Sequence, residues 1–365
     1  MDMKLRIAFG AALIALLAGC AQIGYYAQAA QGQFALLAEA RPIDDWLADP
    51  QAAPPLKKKL KMVRSIRRFA ASELGLPDNG SYTNYAALQR PFVLWNVIAT
   101  PALSLQPKQW CFPIAGCVSY RGYYSKADAQ AYGDELRAEG YDVQVAGVPA
   151  YSTLGWFDDP VLSTFIHYPD GELARLIFHE LAHQVAYAGG DSQFNESFAT
   201  TVEETGVARW MAQQGDAQMR ASYAVFEGRK QDFLQLLLKY RARLETVYAL
   251  PIPDSEKLQR KALTFAALKA EYQTLKTAWG GYAGYDRWFA EPLSNAHLAA
   301  VATYHDLVPA FRALLAQQKD MAGFYAAVKQ LASEDQPLRH RQLAALARSA
   351  QLAAASAQNT QDIVR

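Results

Sequence analysis

The segment His179-Glu-Leu-Ala-His183 constrains this chain more than any other, because it places two histidines four residues apart within a helical pattern. We expect a helix that is capped by Asp170 and stops at Gly189-Gly190. Side chains four residues apart lie on one helix face, one turn apart, so both imidazoles can reach a single Zn²⁺ ion. Glu180 lies about 100° around the helix, beside the metal, where a general base for a zinc-bound water must be.

A catalytic zinc site needs a third protein ligand and an open position. Twelve residues separate His183 from Glu196, which lies in the pattern Asn195-Glu-Ser-Phe-Ala at the start of a second predicted helix, with Asn195 as its expected cap. We expect Glu196 to be the third ligand. Glu203 follows seven residues later, about 20° from the same face, and is expected to accept an imidazole N–H. Glu204 competes for either role.

The first twenty residues have the pattern of a signal peptide, residues 1–19, that ends before Cys20. Lys4 and Arg6 precede an apolar run that is too short to span a bilayer. The sequence Leu17-Ala18-Gly19-Cys20 resembles the lipobox of bacterial lipoproteins, in which the cysteine is acylated, and the alternative is an ordinary secretory cleavage site. Ala21 stands where Asp retains such proteins at the inner membrane, so the expected location is the periplasmic face of the outer membrane.

Cys111 and Cys117 are the other two cysteines, and both belong to Trp110-Cys-Phe-Pro-Ile-Ala-Gly-Cys. In an oxidising compartment this spacing favours a short-loop disulfide, with free buried thiols as the alternative. A zinc ligand pair is disfavoured, because no further His or Cys lies nearby. The net charge of +1 offers no electrostatic basis for nucleic-acid binding.

The periodicity predicts an α+β fold that is mainly α, in a single domain over residues 20–365. Residues 21–80 are expected to be helical, 81–160 to contain a small β-sheet, 161–215 to carry the histidine and glutamate motifs, and 216–350 to be helical again. Strand-like segments begin at Tyr82, Phe92, Tyr141 and Tyr151. Helices over Phe233–Leu250 and Asp254–Trp279, separated by a Pro-Ile-Pro break, predict an antiparallel hairpin.

The motif pair His-Glu-x-x-His and Asn-Glu-x-Phe-Ala resembles the gluzincin metallopeptidases. Together with the lipobox, the Trp110–Tyr123 segment, Tyr151-Ser-Thr-Leu-Gly-Trp-Phe-Asp-Asp-Pro and Tyr285-Asp-Arg-Trp-Phe, it resembles the bacterial family of predicted lipoprotein aminopeptidases over nearly the whole mature chain. The interval between the second histidine and the third-ligand glutamate is shorter than in better-studied gluzincins.

The resemblance implies a zincin-like core with one Zn²⁺ ion and a peptide substrate, with Glu180 taking a proton from the attacking water and returning it to the leaving amine. It also implies a donor to the carbonyl oxygen from downstream, and the leading candidates are Tyr285 and Tyr304. The other candidates are Tyr282, His297 and His305. Most tyrosines in such a chain only pack.

The resemblance further implies a peptide-binding edge strand just before the metal helix, and Tyr151–Phe157, which includes Gly155, occupies that position. Asp158 or Asp159 is then a candidate for binding the substrate α-ammonium, although a simple turn explains both. A rival function is a catalytically idle lipoprotein that keeps these helices to bind envelope peptides or a partner protein. The intact Glu180 favours catalysis.

Overall fold

The computed structural model describes residues 23–112 and 116–363, with side chains as far as Leu352 apart from that of Ala302. The predicted α+β, mainly helical class is confirmed. The helices are residues 23–39 (α1), Ile43–Ala48 (α2), Pro54–Leu74 (α3), Lys126–Ala138 (α4), Asp170–Ala182 (α5), Ser192–Gln214 (α6), Ala217–Ala249 (α7), Asp254–Ala278 (α8), Asn295–His305 (α9), Val308–Ala316 (α10), Met321–Ala332 (α11) and Gln336–Ile363 (α12). The strands are Arg41–Pro42 (β1), Asn84–Ala86 (β2), Leu94–Pro101 (β3), Trp110–Phe112 (β4), Gly116–Val118 (β5), Arg121–Tyr123 (β6), Tyr141–Val148 (β7) and Val161–Leu162 (β8).

The longest strands form an antiparallel sheet in the order β6-β3-β7. Its residues alternate between two faces, as the period of a strand requires. One face packs on α4 in a cluster that contains Trp95, Val97 and Val143. The other face, which includes Asn96 and Ala146, is turned toward cavities at the centre of the molecule.

The helices α5 and α6 carry the sequence motifs and lie in the largest core cluster. Leu173, Ile177 and Leu181 recur on α5 at helical spacing and are fully buried. Phe194 and Phe198 on α6 are buried as well, and both rings contact Phe311 of α10. Burial of one apolar face on each helix therefore fixes which way the polar residues of the motifs point.

The predicted helical hairpin is formed by α7 and α8, which pack together over a second cluster that includes Phe233, Leu237, Leu268 and Tyr272. The first helix begins much earlier than expected, at Ala217. Among the described residues, no helix is both long and apolar enough to cross a bilayer.

The strand predicted over Tyr151–Phe157 is wrong. The segment contains turns and bends, and both Leu154 and Gly155 have positive φ, at 57° and 81°. The Asp159 carboxylate accepts a hydrogen bond from the Thr153 backbone N–H, which closes the segment on itself. Those bends and that contact are incompatible with an extended strand over these residues.

Candidate functional site

The two motif helices are antiparallel neighbours. Gly171 lies against Met211 and Phe178 lies against Gly206, whereas His183 at the other end of α5 lies near Glu196 at the start of α6. A Cβ at Gly206 would come within 2.7 Å of the Phe178 ring, so a glycine is needed for this close approach. The packing brings one end of each helix to the same point.

Three side-chain atoms converge at that point. The Nε2 atoms of His179 and His183 are 3.2 Å apart, and the Glu196 Oε2 atom lies 3.2 Å from the first and 3.5 Å from the second. Ligands bound about 2.0 Å from a tetrahedral Zn²⁺ lie about 3.3 Å from one another. Two imidazole nitrogens and a carboxylate oxygen at these separations fit such an ion, and they form a possible metal-binding triad.

The connector between the two helices differs from the prediction at both of its ends. Helix α5 starts at Asp170 without a side-chain cap and ends at Ala182, so His183 is its C-cap residue. Helix α6 is capped by Asp191, which accepts a hydrogen bond from the Phe194 N–H. Asn195 lies inside the first turn of α6 instead, and its amide bonds both the N–H and the C=O of Ala188, at 2.7 and 2.9 Å.

Behind the triad, Glu203 lies with its Oε2 atom 2.9 Å from His179 Nδ1. Its other oxygen is 2.9 Å from Arg175 and 3.5 Å from Lys230. Burial disfavours the charge on Glu203, but Arg175 and His179 outweigh it and hold the pKa of this carboxyl far below its ordinary value. An ionised Glu203 can orient the imidazole so that Nε2 faces the metal position.

Glu204, the competing candidate, points elsewhere. Its carboxylate pairs with Arg312 of α10, with distances of 2.5 and 3.1 Å to the guanidinium nitrogens. Of the two adjacent glutamates of α6, Glu203 therefore contacts a metal-ligand candidate and Glu204 contacts α10.

The triad opens into a cavity of about 530 Å³, which we call the metal cavity. This volume is in the range of small-molecule binding sites. Glu180 lines it beside His179 and His183. Burial is the largest influence on Glu180 and raises the pKa of its carboxyl, which suits a group that must both take up and release a proton.

Among the tyrosines that line the same cavity, Tyr304 of α9 and Tyr120 are both influenced by the charge of Glu196. The Tyr304 ring lies 6.3 Å from that of His179 and is stacked at 25°. The Glu196 charge is the largest influence that raises the pKa of the partly exposed Tyr304 hydroxyl, and burial raises the pKa of Tyr120, so both remain protonated donors. Tyr120 lies in the Trp110–Tyr123 segment that carries the resemblance, but no motif assigned it a role, because its proximity to α5 and α6 arises only from the fold.

The position of Tyr285 corrects the expectation that it reaches the reacting carbonyl. Its ring is stacked 4.0 Å from Phe233 in the second core cluster, and it is not among the side chains that line the metal cavity. Tyr282 contacts Trp279 and Tyr285. His297 and His305 likewise lie outside the metal cavity.

The predicted substrate-binding residues Asp158 and Gly155 also need correction. Both are exposed and neither lines the metal cavity, because the turn at Leu154 and Gly155 directs them away from it. Asp159 is buried, and this burial raises the pKa of its carboxyl to about 7. Five other members of this segment do line the metal cavity, namely Tyr151, Ser152, Thr153, Leu154 and Phe157.

Cys111 and Cys117 are joined in a disulfide between β4 and β5. This hairpin packs against the α5–α6 connector, where a Cβ at Gly116 would lie 2.5 Å from the Gly190 nitrogen. It also supplies Phe112 and Val118 to the metal cavity. The disulfide therefore ties together a segment that touches both the cavity and the connector. Cys20, the predicted lipidation site, lies outside the described residues.

Comparisons with known proteins agree with this arrangement at the level of the family. No curated protein and no solved structure matches the chain. One family model, described as "Putative aminopeptidase", matches residues 24–343, which include the sheets, the whole site and the helices as far as the first part of α12. The chain therefore belongs to the Putative aminopeptidase family.

Proposed function

We propose that this protein is a zinc-dependent aminopeptidase that hydrolyses peptide bonds with Glu180 as general base. The observation that carries the proposal is the convergence of His179, His183 and Glu196 in a cavity that Glu180 also lines. The family description supplies the peptidase class. A binding protein has no need of an additional half-buried carboxylate beside its metal ligands, so this combination favours catalysis.

When bound by the triad, Zn²⁺ supplies Lewis-acid chemistry, which polarises the scissile carbonyl and acidifies the attacking water. The chain supplies the proton transfers. A Glu180 carboxylate oxygen takes a proton from the water and later delivers it to the nitrogen of the leaving amine. Tyr304 and Tyr120 are protonated and line the cavity, so either hydroxyl can donate a hydrogen bond to the carbonyl oxygen as negative charge develops there.

The proposal includes the location of the enzyme. The lipobox-like sequence at Leu17–Cys20 supports a lipid anchor on Cys20, and Ala21 supports the periplasmic face of the outer membrane. Several acyl chains on one cysteine exceed the two signals that stable membrane attachment needs. The peptide substrates would then be those present in the cell envelope.

The test combines metal content with turnover. Purified protein is expected to contain about one zinc per chain and to hydrolyse a series of aminoacyl chromogenic substrates. The Glu180→Gln variant is expected to keep its zinc and to lose at least about 100-fold in kcat, because it removes the base and leaves the ligands in place.

Zinc bound in both proteins without hydrolysis by either would reject the enzyme proposal for these substrates and favour an idle peptide-binding protein. A Glu196→Ala variant that keeps its zinc would reject Glu196 as the third ligand.

A further inference from the structure

A second cavity of about 360 Å³ lies next to the metal cavity, and we call it the side cavity. Tyr304, Asn96 and Val148 line both cavities, whereas the three metal-ligand candidates line the metal cavity and not the side cavity. Tyr304 therefore lies at the boundary between them.

The two cavities share one floor, which is the open face of the β3–β7 ladder. Three registered pairs form it: Leu94 with Val148, Asn96 with Ala146, and Ile98 with Gln144. The first pair lines the metal cavity, and the last pair lines the side cavity. Four residues of strand rise span about 14 Å, which is long enough for an extended peptide segment of four residues to lie along the floor.

The side cavity is mainly apolar and has no unpaired charge among its described lining residues. Phe233, Leu237 and Trp288 form much of its wall. Its one cationic group, Lys230, lies 3.5 Å from Glu203 and 3.9 Å from Glu227. The two lining histidines, His297 and His305, are neutral at pH 7, because burial lowers the pKa of each to about 4.

Asn96 offers a polar contact in the middle of the floor. Its Oδ1 atom is buried and has no hydrogen-bond partner among the described residues. A buried acceptor without a partner is costly unless a ligand supplies a donor. A peptide lying across the floor carries backbone N–H groups that can do so.

We infer that the side cavity is a second substrate subsite, which binds a large apolar or aromatic side chain from a residue that follows the cleaved bond. The inference rests on the proposed peptidase function and adds the substrate class. The reacting carbonyl must lie at the triad, with the amino-terminal residue in the metal cavity. A chain that continues along the floor past Tyr304 then brings its next side chains to the side cavity.

The test measures binding, so that it does not depend on turnover. Zinc-saturated Glu180→Gln protein is titrated with the tripeptides Leu-Ala-Ala, Leu-Phe-Ala and Leu-Ala-Phe. At least one phenylalanine peptide is expected to bind about tenfold more tightly than Leu-Ala-Ala, since a pocket for one large apolar group discriminates by this order.

The variant Ala146→Phe, in the same Glu180→Gln background, fills the side cavity from its floor. It is expected to remove the phenylalanine preference, so that the phenylalanine peptides bind no more tightly than Leu-Ala-Ala. The matched control Ala146→Ser, which adds little volume, is expected to keep the preference. If Ala146→Phe does not fold, Ala300→Leu fills the same cavity from α9.

Equal affinity for the three peptides, no binding of any of them, or a preference that persists in the filled variants would overturn the inference. Hydrolysis of Leu-Ala-Ala by the unmutated protein is measured separately. A retained binding preference without hydrolysis would reject the catalytic proposal and leave the subsite in place.

Discussion

At the scale of single residues, the candidate site depends on which of two adjacent glutamates faces the histidines. Glu203 contacts His179 Nδ1 at 2.9 Å, whereas Glu204 pairs with Arg312 on the other side of α6. The helical spacing from Glu196 predicted the first of these positions, because seven residues return a side chain to nearly the same helix face.

We predict that Glu203→Gln weakens zinc binding about 10- to 100-fold, because it removes the carboxylate that orients the His179 ring and raises its basicity. Competition with a chelator of known affinity measures the loss. Glu204→Gln is the matched control, since it makes the same chemical change one residue away and is expected to leave the zinc affinity within about twofold. Equal losses in the two variants would show that Glu203 has no special role at the metal.

At the scale of elements, the connector between α5 and α6 determines where Glu196 lies. Asp191 caps α6 and is held by Arg339 and His340 of α12, at 2.5 and 2.8 Å. Asn195 bonds both polar backbone groups of Ala188. The start of α6 is thus fixed by its own connector and by a helix almost 150 residues away in the sequence.

We predict that Asn195→Ala lowers the free energy of unfolding by about 2–4 kcal/mol, because it leaves the buried N–H and C=O of Ala188 without partners. Urea denaturation measures the change. Gln193 lies on the same helical turn as Asn195, and Gln193→Ala removes only an exposed hydrogen bond to Asp306. The expected change in the free energy of unfolding is within about 0.5 kcal/mol. A loss for Asn195→Ala no larger than that of the control would contradict the role assigned to the hydrogen bonds between Asn195 and Ala188.

Local sequence pattern predicted some of these elements correctly and others wrongly. Apolar periodicity and the His-Glu-x-x-His spacing predicted α5, α6 and the α7–α8 hairpin, because each buries one regular face. Local pattern failed for Tyr151–Phe157, where the positive φ of Leu154 and a hydrogen bond to the Asp159 carboxylate replace the predicted strand with a turn. The prediction for Tyr285 was wrong for a related reason. Only tertiary packing determines that Tyr285 stacks on Phe233 whereas Tyr304 lies against His179.

At the scale of the whole molecule, the metal cavity is built from segments that are far apart in the sequence. Tyr25 and Gln33 of α1, Phe112 of the disulfide hairpin, Tyr120 and Tyr304 all line it together with α5 and α6. Such a wall cannot be predicted from any one segment. Because α1 contributes to this wall and begins shortly after the proposed lipidated cysteine, the proposed anchor is close in sequence to the cavity.

Five residues lead from Cys20 to Tyr25, and a chain of that length reaches about 18 Å at most. A lipid on Cys20 would therefore hold the metal cavity close to the membrane surface, and the anchor would restrict where the enzyme acts without taking part in catalysis.

We predict that Cys20→Ser moves the protein from the membrane fraction to the soluble periplasmic fraction. Its turnover of a small aminoacyl substrate is expected to stay within about twofold, since no residue of the triad changes.

The unmutated protein washed in high salt is the control. Helix α3 exposes the basic residues Lys58, Lys61, Arg64 and Arg68, and salt screens their attraction to anionic lipid but leaves acyl chains in place. The unmutated protein is expected to remain with the membrane. Release of the unmutated protein by salt, or membrane retention of Cys20→Ser after the same wash, would show that attachment does not depend on a lipid at this cysteine.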